Sequence, residues 1–305
     1  MMLSLASSLA HTPLQLIRNL TLLCLFFSSH CSFAAISVID DSGVKISLSS
    51  PAQRIISLAP HTTELLFAAG AGKSVIAVTA WSDYPLEAKN IPSVGSATEL
   101  DIERIIKLQP DLVVAWKNGN KPRQIAHLRK FGIQVFESEP KTFEAIADSI
   151  KKLSTLAGTE QIGQQQALAF QQKILALKNK YQQAAEVSYF YQIWQKPLMT
   201  LNGEHLISQA LKICGGRNIF SELIPTAPTV NSESVIQRNP EVIFISSEEK
   251  NITTQWQSFS NMTAVANKNI FTFNGSIMNR AGSRMAEATE QLCEKLDLAR
   301  QKRLH

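Results

Sequence analysis

The sequence is poor in the features that most often declare a chemistry. It has no Cys-x-x-Cys and no His/Cys cluster at metal-ligand spacing, which argues against a zinc site. It has no nucleophile elbow and no Gly-rich phosphate loop. His61, Glu64 and Asp83 offer the raw material of an acid–base set, but nothing around them supports an enzyme, and none is expected. A net charge of +5 over 305 residues is weak, and no dense Lys/Arg block or basic-aromatic stripe accompanies it, so nucleic-acid binding is not expected. Beyond the N-terminal segment no stretch reaches the roughly 18 apolar residues of a membrane helix. What is present, 45% hydrophobic and 18% charged residues, is the make-up of a globular chain with a buried core, long enough for two lobes.

The first 34 residues contain no Asp, Glu or Lys. Arg18 is followed by the apolar run Leu20 to Phe27, and small and polar residues lead from there to Ser32-Phe33-Ala34. This order reads as a secretory signal over residues 1–34, cut after Ala34. Cys31 raises the alternative of a lipid anchor, which His30 before it fits poorly. Of four cysteines, Cys24 and Cys31 would leave with the leader. Cys214 and Cys293 remain; in an exported chain a single disulfide is the simplest expectation, two buried free thiols the other.

Along the mature chain, short apolar runs alternate with helical stretches. Strands are expected at 54–58, 75–79, 111–116 and 133–136, with helices at 62–69, 101–108 and 122–131 between them. The pattern predicts βα units and a mostly parallel sheet. A helical tract follows over 142–157, and then 159–183 runs without proline. In it Ala167, Phe170, Ile174, Leu177 and Tyr181 recur at steps of three and four, one helix face. The strand–helix pattern then restarts at 187–193 and continues through a helix at 205–213, a Gly215-Gly216 turn, strands at 242–246 and 270–273, and a helix at 284–298. The expected organisation is an N-terminal α/β lobe over 53–140, a helical segment over 141–185 with an interlobe helix at 159–183, and a C-terminal α/β lobe over 186–305. The polar segment up to Pro51 is given no element.

A gapless repeat relates the two halves. Residues 103–116 align with 233–246: Glu103 with Glu233, Ile106 with Ile236, Pro110 with Pro240, Asp111 with Glu241, and a buried strand after each. Both copies read as a short helix opened by Glu and ended by Pro.

The segments Arg54-Ile-Ile-Ser-Leu-Ala-Pro-His-Thr-Thr-Glu64, Ser82-Asp83-Tyr84-Pro85, Leu108-Gln-Pro-Asp-Leu-Val-Val-Ala-Trp116 and Cys214-Gly-Gly-Arg-Asn-Ile-Phe220 resemble those of the BtuF-type periplasmic cobalamin-binding proteins. The resemblance covers about 53–298. It implies two Rossmann-like α/β lobes bridged by a long rigid helix, and a corrinoid held edge-on in the cleft between them. The expected ligand contacts are Trp81 and Arg280, which match family positions, with Tyr84 beside the first, Trp116 at the carboxyl end of its strand, Trp194 after the first strand of the second lobe, and Met278 in the last loop. A corrin is a broad ring with apolar faces and amide arms, so aromatic packing and a few hydrogen bonds suit it. The resemblance also implies a Cys214–Cys293 disulfide, a periplasmic location and a monomer on its own. Its implied partner is a membrane ABC permease dimer with its ATPase, docked through Glu103 and Glu233. No cofactor or metal beyond the cobalt of the ligand is expected. Ala97, Ala227 and Ile277 depart from the aromatic and acidic residues the family often has at those places. Haem or a siderophore is the alternative ligand, with His61, His205 and Tyr84 as candidate haem ligands.

Overall fold

Apolar runs too short for helices become the strands of two separate parallel sheets. The computed structural model describes residues 35–246 and 253–303, and residues 35–305 form one compact unit. The expected leader at 1–34, with Cys24 and Cys31, lies outside the described residues. The element order is β1 Ile36–Ile39, β2 Lys45–Leu48, β3 Ile55–Ser57, α1 Pro60–Ala68, β4 Val75–Ala77, α2 Ile102–Lys107, β5 Leu112–Trp116, α3 Pro122–Lys130, β6 Val135–Ser138, α4 Phe143–Ala157 and α5 Glu160–Tyr181. It continues with β7 Val187–Gln192, α6 Leu206–Ile213, β8 Gly216–Asn218, α7 Ser232–Arg238, β9 Val242–Ser246, α8 Thr254–Gln257, α9 Thr263–Ala266, β10 Ile270–Phe273, α10 Gly275–Met278 and α11 Met285–Lys302.

The first sheet has the order β4-β3-β5-β6 and the second β8-β7-β9-β10, every pair parallel. The two are the same topology: in each lobe the first strand sits between the second and third, and the fourth lies outside the third. Residues of β3 and β7 are buried throughout, as expected of parallel strands covered on both faces.

The repeat is visible atom by atom. Asp101 and Asn231 cap α2 and α7, each side chain accepting from the backbone N–H three residues on, at 3.0 and 2.8 Å. Gln109 (φ 46°) and Asn239 (φ 42°) both turn left-handed before their prolines. Asn tolerates that region better than Gln. After the prolines, Asp111 accepts from the N–H groups of Gln53 and Arg54 at 2.8 and 2.9 Å, and Glu241 from the N–H and hydroxyl of Ser188 at 2.9 and 3.0 Å. Each acid thus pins the start of its sheet's first strand.

Several short elements go beyond the sequence reading: the helices α8, α9 and α10, and the three strands β1, β2 and β8. The polar N-terminal segment forms a hairpin, β1 antiparallel to β2. It is tied to the first lobe by Asp40 and Asp41, which accept from the N–H groups of Glu137 and Glu139. The Gly215-Gly216 turn continues into edge strand β8.

Helix α5 has 22 residues, about 33 Å of helix. It buries Gly163, Ala167, Phe170, Ile174, Leu177 and Tyr181. Gly163 lets it approach α4 closely: a Cβ there would fall 2.2 Å from the Ser154 side chain. At its other end the Tyr181 hydroxyl donates to Asp297 of α11 at 2.8 Å. The largest apolar cluster runs from Ile55, Val114 and Phe136, through Phe170, Ile174 and Leu177, to Tyr189, Phe244 and Leu292. In the second lobe Cys214 and Cys293 form a disulfide joining the end of α6 to α11. Closing a loop of 79 residues is worth on the order of 4–5 kcal/mol in a chain-entropy account.

Candidate functional site

Loops that leave the carboxyl ends of parallel strands are where open α/β sheets bind ligands. Here both sheets turn those loops toward one cavity of about 450 Å³, within the usual range for small-molecule sites. From the first lobe it is lined by Pro60 and His61 after β3, Trp116 and Asn118 at the end of β5, and Glu139 to Lys141 after β6. From the second come Glu204 to Ile207, Thr226, Met278 to Ala281 and Met285.

Of the expected contacts, Trp116, Met278 and Arg280 line this cavity. Trp81, Tyr84 and Trp194 do not. Trp81 and Trp194 stand out in solvent at 80% and 62% exposure, and Tyr84 is exposed beside Arg284. The Trp194 indole N–H is turned to the nearby Lys196 carbonyl at 3.0 Å.

Trp116 is held by its neighbours. Its ring lies edge-on to His61, centroids 5.6 Å apart at 79°. It also packs against Gly119, where a Cβ would come within 1.9 Å of the ring. The buried Asn120 accepts from the Trp116 N–H at 2.6 Å and donates to the carbonyls of Leu58 and Ala97 at 3.0 and 2.6 Å. One amide thereby ties three cleft loops. Sequence reasoning passed over Gly119 and Asn120; the Asn-Gly-Asn string at 118–120 after a strand ending in Trp was the available signal.

Arg280 does not present a free charge to the cavity. Its guanidinium donates to Asp83 at 2.7 Å, to Glu64 at 3.2 Å and to the Trp81 carbonyl at 2.9 Å. Arg284 donates twice to Glu64, at 2.6 and 3.0 Å, and stacks on Tyr84 with its central carbon 4.0 Å from the ring centre. Glu64 is 1% exposed, and the two arginines 11% and 16%. Gly282 gives the acid room, since a Cβ there would sit 2.8 Å from its carboxylate. Burial alone would raise the Asp83 carboxyl; the Arg280 hydrogen bond and charge outweigh it and hold it below the ordinary carboxylate value. Two acids of the first lobe and two arginines of the second therefore bind the lobes together beside the cavity. The same cluster fixes Trp81, whose left-handed backbone (φ 66°) is rare for a bulky residue and marks a strained loop.

Glu103 and Glu233 lie in the first turns of α2 and α7. Both are exposed, and neither has an ion-pair partner among the described residues. Among the described residues no group of His, Cys, Asp or Glu could hold a metal ion, and no helix is long and apolar enough to cross a membrane.

Comparison with known proteins agrees with this geometry. Residues 55–276 match the periplasmic binding protein family. A vitamin B12-binding protein of Vibrio campbellii is 42% identical over 254 residues, 83% of this chain and 92% of that protein. One from Pectobacterium carotovorum is 37% identical over 246 residues, 80% and 88% of the two chains. The crystal structure of the periplasmic vitamin B12-binding protein BtuF of Vibrio cholerae superposes with a TM-score of 0.75 at 38% identity, covering 82% of this chain and 98% of that one. The haem-binding protein HutB of Vibrio cholerae shares the fold, with a TM-score of 0.72 at 22% identity. With its two parallel four-stranded sheets and bridging helix, the chain belongs to the periplasmic binding protein family, as a BtuF-like member.

Proposed function

We propose that this protein captures cobalamin or a related corrinoid between its lobes and delivers it to an ABC importer. The observation that carries the reading is the cavity: an indole, buried methionines and uncharged polar groups, its arginine already paired with two acids, and its remaining charges, Glu139, Lys141 and Glu204, half-buried or exposed. Such a lining suits a broad, apolar-faced ligand with uncharged arms better than a highly charged one. The names of the relatives support the same ligand. Trp116, Met278 and Arg280 form the inner contacts in this reading. Trp81, Tyr84 and Trp194, exposed and outside the cavity lining, are in this reading the residues that meet the parts of the ring too large for the cavity.

Glu103 and Glu233 are the docking residues for the permease. Their equivalent places on two copies of one topology suit a two-fold partner, and exposed charges of this kind set encounter rate and register. Export follows from residues 1–34 acting as a cleaved leader, which puts the mature protein in the periplasm. The N-terminal lobe extends over 53–140 and the C-terminal lobe from 186, with the helical segment 141–185 between.

Titration calorimetry of the mature protein with cyanocobalamin tests the reading. Expected is one site per chain, weakened at least tenfold by Trp116→Ala, with haem inert. A protein that ignores cyanocobalamin and develops a haem absorbance band instead would overturn it.

A further inference from the structure

In each lobe the first crossover leads from the first strand into a helix, β3 into α1 and β7 into α6. A histidine stands at the start of each helix: His61 in the first turn of α1, His205 as the N-cap of α6. The two positions are topologically equivalent, and both residues line the cavity, from opposite lobes. None of the contacts assigned above uses them.

Both imidazoles are neutral at ordinary pH. Burial pushes His61 down to about 4, against a hydrogen bond to the Ser138 backbone that favours its charged form, and the nearby Arg280 charge lowers it further. Burial likewise pushes His205 down to about 4. A neutral imidazole has one donor and one acceptor. In His205, Nδ1 accepts from the Ile207 N–H at 3.1 Å, so the ring carries its proton on Nε2. In His61, a ring N–H faces the Ser138 backbone, whose carbonyl only accepts, and the other nitrogen keeps its lone pair. The edge-on Trp116 ring fixes the imidazole. One wall of the cavity thus offers an acceptor and the other a donor, with Arg280 neutralised beside them, Glu139 half-buried, and Lys141 and Glu204 exposed. Primary amides carry both complements, an N–H and a carbonyl; carboxylates lack the first.

We propose that His61 and His205 are a matched pair of ligand contacts for carboxamide arms, His61 accepting an amide N–H from one arm and His205 donating to an amide carbonyl of another. This rests on the corrinoid reading and assigns the specificity of that site for amides over acids.

The test uses cyanocobalamin and its monocarboxylic acids, in each of which one arm amide is hydrolysed. Wild type is expected to bind one of the monoacids about tenfold more weakly than the parent, the value of one neutral hydrogen bond. His61→Phe keeps the ring volume but has no acceptor. It should bind the parent about tenfold more weakly and bring the parent-to-monoacid ratio near one, and His61→Gln, which regains an acceptor, should restore the ratio. His205→Asn keeps an oxygen to cap the Ile207 N–H, so its melting temperature should hold while its affinity for the parent falls about three- to tenfold. If wild type binds cyanocobalamin and the variants keep both its affinity and its monoacid ratio, the histidine assignment is overturned and the corrinoid reading stands. If wild type binds no cobalamin, the corrinoid reading falls and takes the assignment with it.

Discussion

The two lobes share a topology and differ at the cleft. On their outer faces the copies match closely: an Asx cap, a Glu in the first turn, a left-handed residue before a proline, and an acid that pins the first strand. At the cleft they diverge. The first lobe contributes Trp116 on its Gly119 bed and the acids Glu64 and Asp83; the second contributes Arg280, Arg284 and Met278, and carries the only disulfide among the described residues. A symmetric partner favours keeping equivalent outer surfaces, while a ligand without two-fold symmetry is served by two unlike walls. The difference between face and cleft is therefore informative about what meets each.

Breaking the unlike cleft walls should have the largest effect. Glu64→Gln leaves two largely buried arginines without their shared acid, and loss of about 3 kcal/mol is expected. Chemical denaturation measures it, and a loss below about 1 kcal/mol would show that the interlobe cluster is solvated in practice. Acidification should act at a similar scale. His61 titrates near 6.5 when unfolded and near 4 when folded, so the unfolded chain takes the proton first as pH drops. Stability is full above pH 6.5 and falls toward pH 4, by about 3 kcal/mol from His61, with a smaller part from the less buried His205. Thermal melts over that range should show the slope, and His61→Phe should flatten it. The strand-pinning acids sharpen the comparison. Asp111→Asn and Glu241→Gln should each cost about 1–2 kcal/mol and resemble one another once the part-exposed Glu241–Arg303 pair, worth at most about 1 kcal/mol, is allowed for. Unequal costs would mean that the copies match in geometry but not in energy. The smallest effect on stability, within about 0.5 kcal/mol, is expected for Glu103→Ala with Glu233→Ala. The double variant should bind ligand normally yet associate more weakly with the importer in a pull-down or transport assay.

Much of the fold was legible because it is punctuated locally. Thr142 and Gly158 bracket α4, with Gly158 left-handed at its end, and Pro110 and Pro240 stop the paired helices. Strand β8 was not legible because Gly216-Arg217-Asn218 has no apolar residue; it exists because β7 offers it an edge. The β1–β2 hairpin was hidden for a related reason, since its anchors are Asp40 and Asp41 reaching a strand nearly 100 residues away. At the site, Trp116, Met278 and Arg280 could be named from the sequence. Their settings could not: the partner of Arg280 lies 216 positions earlier, and the need for Gly119 arises only when the Trp116 ring folds over it. Contacts of that range leave no periodic trace for a local reading to find.

Helix α5 has a mechanical consequence. Lys178 bonds it to Glu144 on α4, while Lys173 and Tyr181 bond it to Glu287, Glu290 and Asp297 on α11. A splint fastened to both of the parts it joins is not a hinge. Rotating one lobe against the other must shear a row of packed side chains, so the restoring force rises steeply with angle, as in a stiff spring rather than a door. Opening the cleft would have to break that packing along the helix, so the two walls are expected to keep close to their present spacing whether or not a ligand lies between them.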